Sequence, residues 1–371
     1  MNTKKNCIFH HPKPVIKDGK SGSGIRPYQL LCAFKEIGYN VIEITGYADE
    51  RKQKIAAARG LINDGLKIDF IYSESSTEPT QLTEINHFPV LPFDFSFFKF
   101  CKNTGIPIGL FYRDMYWKYP EYRKSVGLYK YIIALFFYKY DLYAYNKYVD
   151  ILYLPSKSIN QVIKSRCQIK ELPPGCSQVN NKIKILEKKS HPLKLVYVGG
   201  IGYYYNLTKL LETLKELDFC HLTICCRANE WELNKEVYKE FCGKNIEIVH
   251  KSGNDLMEIY ENSDIAMLFF DSEGYRSYAM PIKLFEYLGY EIPIIATSNS
   301  CDGEFVESND IGWSIPFTKE ALELLLNEII ISPNLLESKR KKTVDVKKKN
   351  SWIERSLQVA EDMRSIKVNN Y

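Results

Sequence analysis

Two charged side chains, Lys283 and Glu286, lie three residues apart at the start of a short predicted helix. Pro281 suits the first turn of that helix, and Gly289 suits its end. The apolar run Ile265–Phe269 precedes the segment and predicts a strand, so the helix should begin at the carboxyl end of a sheet. The N-terminus of a helix can bind a diphosphate. A lysine in the first turn destabilises the helix by about 0.3–1 kcal/mol unless an anion balances its charge. We therefore expect Lys283 to contact a diphosphate.

Glu286 lies on the same helix face as Lys283, and its carboxylate can accept two hydrogen bonds from a vicinal diol such as a ribose. An ordinary ion pair on a helix surface explains the same spacing, so both interpretations stay open. A nucleotide bound here would also meet the loop that leads into the helix. The loop and first-turn residues expected to contact it are Tyr278, Met280, Pro281 and Ile282.

A glycine-rich loop near residue 20 is the second candidate site. It lies between a predicted strand and a predicted helix, where glycine lets the backbone approach an anion or a sugar hydroxyl closely. Pro27 stands where the third glycine of the dinucleotide fingerprint is needed, and the Gly-Lys-Ser at 19–21 lacks the earlier glycine of a P-loop. We expect Asp18, Gly22 and Gly24 to form an acceptor or phosphate loop instead.

The elements that must position these residues follow an alternation of short apolar runs and amphipathic stretches, which is typical of parallel sheets covered by helices. The predicted strands are Asn6–His10, Val41–Thr45, Lys67–Tyr72, Ile106–Tyr112, Ile151–Leu154, Leu193–Val198, His221–Cys225, Ile246–His250, Ile265–Phe269 and Ile292–Ala296. The polar stretch Gln178–His191 predicts a linker. The chain should be α/β, with two doubly wound, Rossmann-like domains that face each other across a cleft.

Several segments resemble the GT-B glycosyltransferases, in particular family 4 (glycosyl transferases group 1). Val196–Gly200 resembles the first strand of their donor domain, and Leu256–Ala266 resembles their LxxxYxxADI segment, with Ser263 in place of alanine. Pro281–Thr297 is similar to their PxKLxEYLAxGxPVIAT segment. The remaining similar segments are Val149–Ser156, Leu172–Cys176 and Ser351-Trp352.

The resemblance implies an acceptor-binding domain over residues 1–180, a donor-binding domain over 181–350 and a C-terminal helix over 351–371 that returns toward the first domain. It implies sugar transfer from a nucleotide-diphosphate donor, a UDP-sugar, to a lipid-linked or growing saccharide in bacterial surface polysaccharide biosynthesis. No cofactor is expected, because the sugar nucleotide is a substrate. The alternatives are another GT-B enzyme, such as an epimerase or phosphorylase, and a non-catalytic homologue that scaffolds an assembly complex.

The departures from the family pattern concern polar residues. Tyr278 stands where retaining members carry a glutamate, and Gly200 and Asn206 stand where they carry arginine and lysine. The family's retaining mechanism therefore cannot be carried over. We expect the donor site to include Gly199, Gly200 and Arg227, with Arg227 and Lys283 supplying the positive charge.

Arg113-Asp114 stands where the family's acceptor domain has a histidine before an aspartate. Arg113 is expected near the acceptor, and Asp114 is the first candidate for a catalytic base in an inverting transfer, because it follows a predicted strand. Asp18 and the pair His10-His11 are the other candidates. A helix cap or a partner for Arg113 is the structural alternative for Asp114.

Metal and nucleic-acid chemistry have no sequence support. The chain contains no Asp-x-Asp and no Cys-x-x-Cys among its ten cysteines, so no metal site is predicted. GT-B enzymes generally stabilise the leaving diphosphate with basic side chains and a helix dipole. The net charge of +5 is too small to indicate a nucleic-acid binder.

The window Tyr112–Tyr148 holds 11 of the 27 tyrosines, with seven basic and three acidic residues. Basic residues among amphipathic aromatics suit contact with an anionic membrane surface, and a Tyr-rich packing helix is the alternative. The N-terminal residues show no signal-peptide pattern, and no apolar run is long enough to span a bilayer. We expect a cytoplasmic protein, peripheral on the inner face of the cytoplasmic membrane.

Overall fold

The computed structural model describes residues 5–17, 19, 22–156, 159, 165–178, 192–202, 205–271 and 274–369. The chain forms two compact units, of which the first comprises residues 1–174 with 352–371 and the second residues 175–351. The sequence placed the corresponding divisions after residues 180 and 350. Apart from Gln178, the predicted linker Gln178–His191 lies outside the described residues.

The described strands and helices alternate along the chain. The strands are β1 (Lys5–His11), β2 (Tyr39–Thr45), β3 (Phe70–Glu74), β4 (Ile108–Phe111), β5 (Ile151–Leu154), β6 (Gln168–Glu171), β7 (Leu193–Val198), β8 (Cys220–Cys225), β9 (Ile246–Val249), β10 (Ile265–Leu268), β11 (Ile294–Thr297) and β12 (Gly312–Ile315). The helices are α1 (Gly22–Glu36), α2 (Ala48–Asn63), α3 (Phe93–Asn103), α4 (Pro120–Val126), α5 (Leu128–Tyr148), α6 (Thr208–Leu214), α7 (Ala228–Tyr238), α8 (Leu256–Glu261), α9 (Ile282–Gly289), α10 (Cys301–Ser308), α11 (Lys319–Ile331), α12 (Asn334–Lys349) and α13 (Trp352–Asn369).

The first unit is built on a parallel sheet whose described strands run in the order β2-β1-β3-β4-β5-β6. Strands β3, β4 and β5 are buried along their whole length. Because helices cover both faces of such a sheet, its central strands are continuous apolar runs rather than alternating ones. This is why the sequence predicted these strands correctly to within a few residues.

The C-terminal helix α13 completes the core of the first unit. Val359 and Met363 are fully buried in one cluster with Phe34 of α1 and with Phe9 and Tyr72 of the sheet. The Met363 side chain of α13 packs over β4, where a β-carbon at Gly109 would lie 2.9 Å from its terminal carbon and 2.9 Å from a ring carbon of Tyr153. The last helix of the chain therefore packs on the first sheet.

The second unit is built on a parallel sheet whose described strands run in the order β12-β11-β10-β7-β8-β9. Strand β7 lies near the middle, so the chain moves outward from it in both directions, first through β8 and β9 and then through β10, β11 and β12. The strand order therefore reverses beside β7, between β7 and β10. In open α/β sheets ligands bind at the carboxyl ends of the strands next to such a reversal.

Five of the described elements were missed by the sequence patterns, among them α4, a helix of seven residues none of which is buried. Strands β6 and β12 lie at sheet edges and read QIKE and GWSI, so neither is an apolar run. Helix α7 buries only Tyr238 of its eleven residues, which leaves no apolar stripe to detect. Helix α10 begins at the cap Ser300, whose hydroxyl accepts a hydrogen bond from the Gly303 amide, and apolar periodicity does not reveal such a cap.

A buried carboxylate joins α5 to the loop that follows β3. Asp141 accepts hydrogen bonds at Oδ2 from the backbone N–H of Thr80 (2.8 Å) and from its hydroxyl (3.0 Å). Burial raises the pKa of Asp141 to about 7, although the Thr80 and Tyr145 hydrogen bonds oppose the shift. The carboxyl group therefore changes charge near neutral pH inside the first unit.

Replacing Asp141 by Asn should stabilise the protein above pH 7 and remove part of its pH dependence. In the wild type, the folded carboxyl keeps its proton up to about pH 7 while the unfolded one loses it near pH 3.8. The free energy of unfolding should therefore fall as pH rises between these values, with a slope of at most about 1.4 kcal/mol per pH unit. Urea unfolding at pH 5 and pH 8 measures this.

The comparison should be made as the difference between wild type and variant, because His11 contributes in the opposite direction. Burial and the nearby Arg113 lower the pKa of His11 from 6.5 to about 3, so its contribution to stability is lost as pH falls through this range. That contribution cancels in the difference. A difference that is equal at both pH values would contradict the assignment to Asp141.

Candidate functional site

The first turns of α9 are fixed to the carboxyl end of β7. Tyr287 is fully buried, and its hydroxyl accepts a hydrogen bond from the Val198 backbone N–H at 2.9 Å. Val198 is the last residue of β7 and is followed directly by Gly199 and Gly200. The predicted donor-binding helix and the predicted glycines are therefore held together by a backbone contact.

Lys283 and Glu286 form an ion pair on the exposed side of α9. The Lys283 Nζ lies 2.9 Å from the Glu286 Oε2, and the hydroxyl of Tyr260 on α8 donates to the same oxygen at 3.0 Å. The Cys225 thiol at the end of β8 has a pKa that burial raises and that the charge of Lys283 partly lowers, so Lys283 also lies near β8. The structure thus contains the ion pair that the sequence left as an alternative.

A second ion pair lies where β7 and β8 end. The Arg227 guanidinium contacts the carboxylate of Glu230, three residues later in the first turn of α7. A β-carbon at Gly200 would lie 3.4 Å from the other oxygen of Glu230, and one at Gly199 would lie 3.0 Å from the Tyr197 hydroxyl. The two glycines are thus lined by polar groups. Glu230 was not predicted, although its three-residue spacing from Arg227 was a usable signal.

The loop into α9 contains the remaining predicted donor residues. Gly274–Ser277 form a 3-10 turn, and the Cys301 thiol donates to the Ser277 carbonyl at 3.1 Å. Pro281 has the extended backbone of an N-cap residue, and α9 begins at Ile282. Tyr278, Met280, Pro281 and Ile282 are all half-buried in this loop and first turn. The structure places them in one short segment beside Lys283.

Arg113 links three elements of the first unit. Its guanidinium donates to the Glu74 Oε2 (3.2 Å), at the end of β3, and to the Gly22 carbonyl (3.3 Å), at the start of α1. Glu74 has no solvent exposure, and its other carboxylate oxygen accepts from the Arg26 Nε at 3.0 Å. Glu74 was not predicted. Its neutralisation by two arginines depends on residues distant in sequence, which no local pattern reveals.

Asp114 lies at the end of β4, as predicted, and also shapes the turn that follows. Its Oδ1 accepts a hydrogen bond from the Tyr116 backbone N–H at 3.2 Å. Burial raises the pKa of Asp114, and this N–H and the charge of Arg113 oppose the shift. The side chain is half-buried. The local hydrogen bond agrees with the structural alternative, and the position leaves a role as a base open.

The two histidines that were alternative bases have other partners. His10 bonds at Nδ1 to the Ser73 hydroxyl (2.8 Å) and at Nε2 to Asp94 (3.0 Å), so both ring nitrogens are used inside the core. His11 bonds at Nδ1 to the Glu74 carbonyl, and its lowered pKa keeps the ring neutral at physiological pH. Gly22 and Gly24 lie in the first turn of α1.

Two further predictions concern the loop residue Asp18 and a metal site. Asp18 lies outside the described residues. No group of three or more His, Cys, Asp or Glu side chains with metal-binding geometry occurs in the part of the chain that is described.

Residues 178–348 match the model of the family "Glycosyl transferases group 1", a little under half of the chain. No curated protein matches. The fold is similar to that of a glycosyltransferase from Rickettsia africae ESF-5 (TM-score 0.62, 15% identity, covering 99% of this chain and 100% of that one). It is also similar to Anabaena HepE in complex with UDP-glucose (0.64, 9%, 97% and 99%) and to WaaG, a glycosyltransferase involved in lipopolysaccharide biosynthesis (0.56, 13%, 96% and 99%).

These comparisons confirm the predicted resemblance. Each unit is a parallel sheet with helices, the chain has the fold class of the GT-B structures with two Rossmann-like units, and the family match lies on the second unit. At 9–15% identity the solved structures show the fold alone, and the class of reaction, sugar transfer, comes from the family match.

Proposed function

With the glycosyl transferases group 1 matched in its second unit, we propose that this protein transfers a sugar from a UDP-sugar to a lipid-linked or growing saccharide in bacterial surface polysaccharide biosynthesis. The observation that carries the proposal is the Lys283–Glu286 pair on the first turns of α9, fixed to the end of β7. A diphosphate at this helix N-terminus would meet the dipole and a lysine ammonium, and a ribose would meet a carboxylate.

Donor binding in this proposal is an exchange of partners. Lys283 is paired with Glu286 and Arg227 with Glu230, so these four side chains carry no net charge before the ligand arrives. A diphosphate attracts both cations away from their carboxylates and frees Glu286 for the ribose hydroxyls. Both pairs are partly exposed, and such pairs contribute at most about 1 kcal/mol, so a doubly charged ligand can displace them.

Asp114 is the proposed base for a transfer that inverts the anomeric carbon. The acceptor oxygen forms a bond to that carbon while the bond to the diphosphate oxygen breaks, and the acceptor proton passes to the carboxylate. The raised pKa of Asp114 suits this role, because a base is most effective when its pKa approaches the working pH. The charge of the leaving diphosphate would be stabilised by Lys283, Arg227 and the α9 dipole, without a metal ion.

The outer face of α5 supports contact with an anionic membrane surface. Its large apolar side chains are exposed to solvent, namely Leu128 (56%), Tyr129 (78%), Ile132 (57%), Phe136 (64%) and Tyr143 (62%). The exposed basic residues of the same window are Lys118, Arg123, Lys124, Lys130, Lys139 and Lys147. Of the three acidic residues in the window, Asp141 is buried and Asp114 and Glu121 are half-buried. These exposed basic residues would repel a second copy of the chain and attract anionic lipid.

No described helix is long and apolar enough to cross a bilayer. In the proposal the protein is cytoplasmic and binds the inner face of the cytoplasmic membrane through the outer face of α5, as interfacial helices do. Such a location would bring the first unit to a lipid-linked acceptor.

A scaffold without catalysis is the second candidate, and a specific observation favours it. The strand end at Gly200 lacks the family's arginine, and a carboxylate, Glu230, lies there instead. Transfer or hydrolysis of a donor separates the two functions, because a scaffold performs neither.

Incubation of the protein with UDP-, GDP-, ADP- and CDP-sugars should give thermal stabilisation by one nucleotide class, with UDP expected. A ligand at a hundred times its Kd adds about 2.7 kcal/mol to the free energy of unfolding. Sugar transfer to a saccharide acceptor should then proceed in excess EDTA. A strict need for added Mg²⁺ or Mn²⁺ would contradict the metal-independent site, and stabilisation by none of the donors would contradict the proposed function.

Lys283→Ala should weaken UDP binding and slow transfer by about 10²–10³, because it removes the ammonium that meets the developing charge of the leaving group. Titration calorimetry and initial rates measure the two effects. Lys235→Ala is the matched control, since Lys235 forms an i,i+3 pair with Glu232 (2.6 Å) on the exposed side of α7. Turnover that is equal in the folded Lys283→Ala protein and in the control would contradict the assignment.

Anionic liposomes should bind the protein at low salt and release it as salt rises, since each basic residue near such a surface contributes about 1 kcal/mol that salt screens. Changing Lys124, Lys130 and Lys139 together to Ser should weaken binding by at least tenfold, as measured by liposome sedimentation, while UDP binding is retained.

A second variant separates the apolar contribution. Changing Ile132 and Phe136 to Ser should also weaken liposome binding, including at high salt. The control changes Leu233 and Val237 of α7, an exposed apolar pair in the other unit, to Ser and should leave liposome binding unchanged. A wild-type protein that ignores anionic liposomes at low salt would make a soluble acceptor the better hypothesis.

A further inference from the structure

One carboxylate oxygen of Glu286 has two donors of different character. Its Oε2 accepts from the Lys283 ammonium at 2.9 Å and from the Tyr260 hydroxyl at 3.0 Å. Tyr260 belongs to α8, 26 residues earlier in the chain, and the sequence analysis gave it no role. The hydrogen bond therefore ties the predicted ribose-binding residue to a second element of the unit.

Tyr260 is fixed in position, whereas Lys283 can move. The Tyr260 side chain belongs to a residue that is 3% exposed, and its ring lies 4.6 Å from that of Tyr290 and 5.8 Å from that of Tyr287. Lys283 has a long side chain that is 30% exposed. Burial and the neighbouring Glu286 raise the pKa of Tyr260 well above its usual value, so its hydroxyl keeps its proton and remains a donor.

We infer that Tyr260 is a positioning residue that holds the Glu286 carboxylate in place for a ribose while Lys283 leaves it for the diphosphate. The inference rests on the proposed function and adds one step to it. A carboxylate has about four lone-pair positions. With one of them occupied by the fixed hydroxyl, the departure of Lys283 frees an acceptor position without freeing the side chain to rotate. At Glu286, donor binding then requires movement of the lysine but not of the carboxylate.

The chain contains a matched arrangement outside the donor site. In the first unit the Tyr153 hydroxyl donates to the Asp362 Oδ2 at 3.1 Å, and the Asp362 Oδ1 pairs with the Lys170 Nζ at 2.6 Å. Tyr153 is fully buried on β5, and Asp362 belongs to α13. Replacing Tyr153 by Phe removes the same kind of hydrogen bond, from a tyrosine hydroxyl to a carboxylate, outside the donor site. Tyr153→Phe is therefore the control.

The test compares the binding of UDP and of 2′,3′-dideoxyuridine diphosphate by calorimetry. The wild type should prefer UDP, because only UDP offers the ribose hydroxyls to Glu286. In Tyr260→Phe the Kd for UDP should rise by about tenfold, the scale of one hydrogen bond to a charged group, while the Kd for the dideoxy analogue changes little. The preference for ribose should therefore nearly disappear. In transfer assays KM for the donor should rise, with kcat changed by less than about threefold.

Tyr153→Phe should leave the preference between the two nucleotides unchanged. A folded Tyr260→Phe protein that keeps the wild-type preference would overturn the inference alone. A wild type that binds no nucleoside diphosphate would overturn the proposed function together with the inference.

Lys283→Ala gives a second measurement that does not depend on the folding of Tyr260→Phe. With Tyr260 intact, this variant should bind both nucleotides more weakly but keep the preference for UDP. Loss of the preference in Lys283→Ala would mean that the lysine, and not Tyr260, holds Glu286 in position, and would overturn the inference.

Discussion

Pairing of charge at the carboxyl ends of the strands is the constraint on which both candidate sites depend. A charged group taken out of water must be matched by a partner or change its protonation state. In the first unit Glu74, fully buried, lies between the guanidinium groups of Arg26 and Arg113. In the second unit the two cations expected to meet a diphosphate each have a carboxylate partner. The charged strand ends are therefore balanced by neighbouring side chains, and any anionic ligand has to compete with carboxylates already in place.

This constraint explains which parts of the site the sequence could reveal. Lys283 and Glu286 are three residues apart, so helix spacing and the resemblance both indicated them. Tyr260 contacts Glu286 from 26 residues away, and Arg113 contacts Glu74 from 39 residues away. Such pairs are set by the order of strands in the sheet, which single-sequence periodicity does not contain. The same limit applies to the fold, where the apolar runs of β5 and β7 were predicted to the residue and the polar helix α7 was missed.

Helix α5 shows a related limit, because its apolar and aromatic residues are spread around the helix and give no single face to choose. The structure separates its tyrosines. Tyr138 and Tyr145 are buried against the rest of the first unit, whereas Tyr129 and Tyr143 are exposed. From the sequence, a packing helix and an interfacial helix were treated as exclusive alternatives. The inner half of α5 is a packing helix, and the outer half leaves apolar area uncovered, which is uncommon in a protein that has no partner.

The position of α13 has a consequence for the way the protein is made. The first unit needs Val359 and Met363 to fill its core, yet these residues are synthesised after the whole of the second unit. At about 5–20 residues per second, roughly 10–40 s separate synthesis of the first sheet from synthesis of the helix that covers it. During that interval the second unit becomes complete, while the first unit still lacks α13. The usual order of domain folding, from the N-terminus onward, is therefore reversed in this chain. The face of the first sheet that awaits α13 is the apolar surface that a chaperone would meet on the nascent chain.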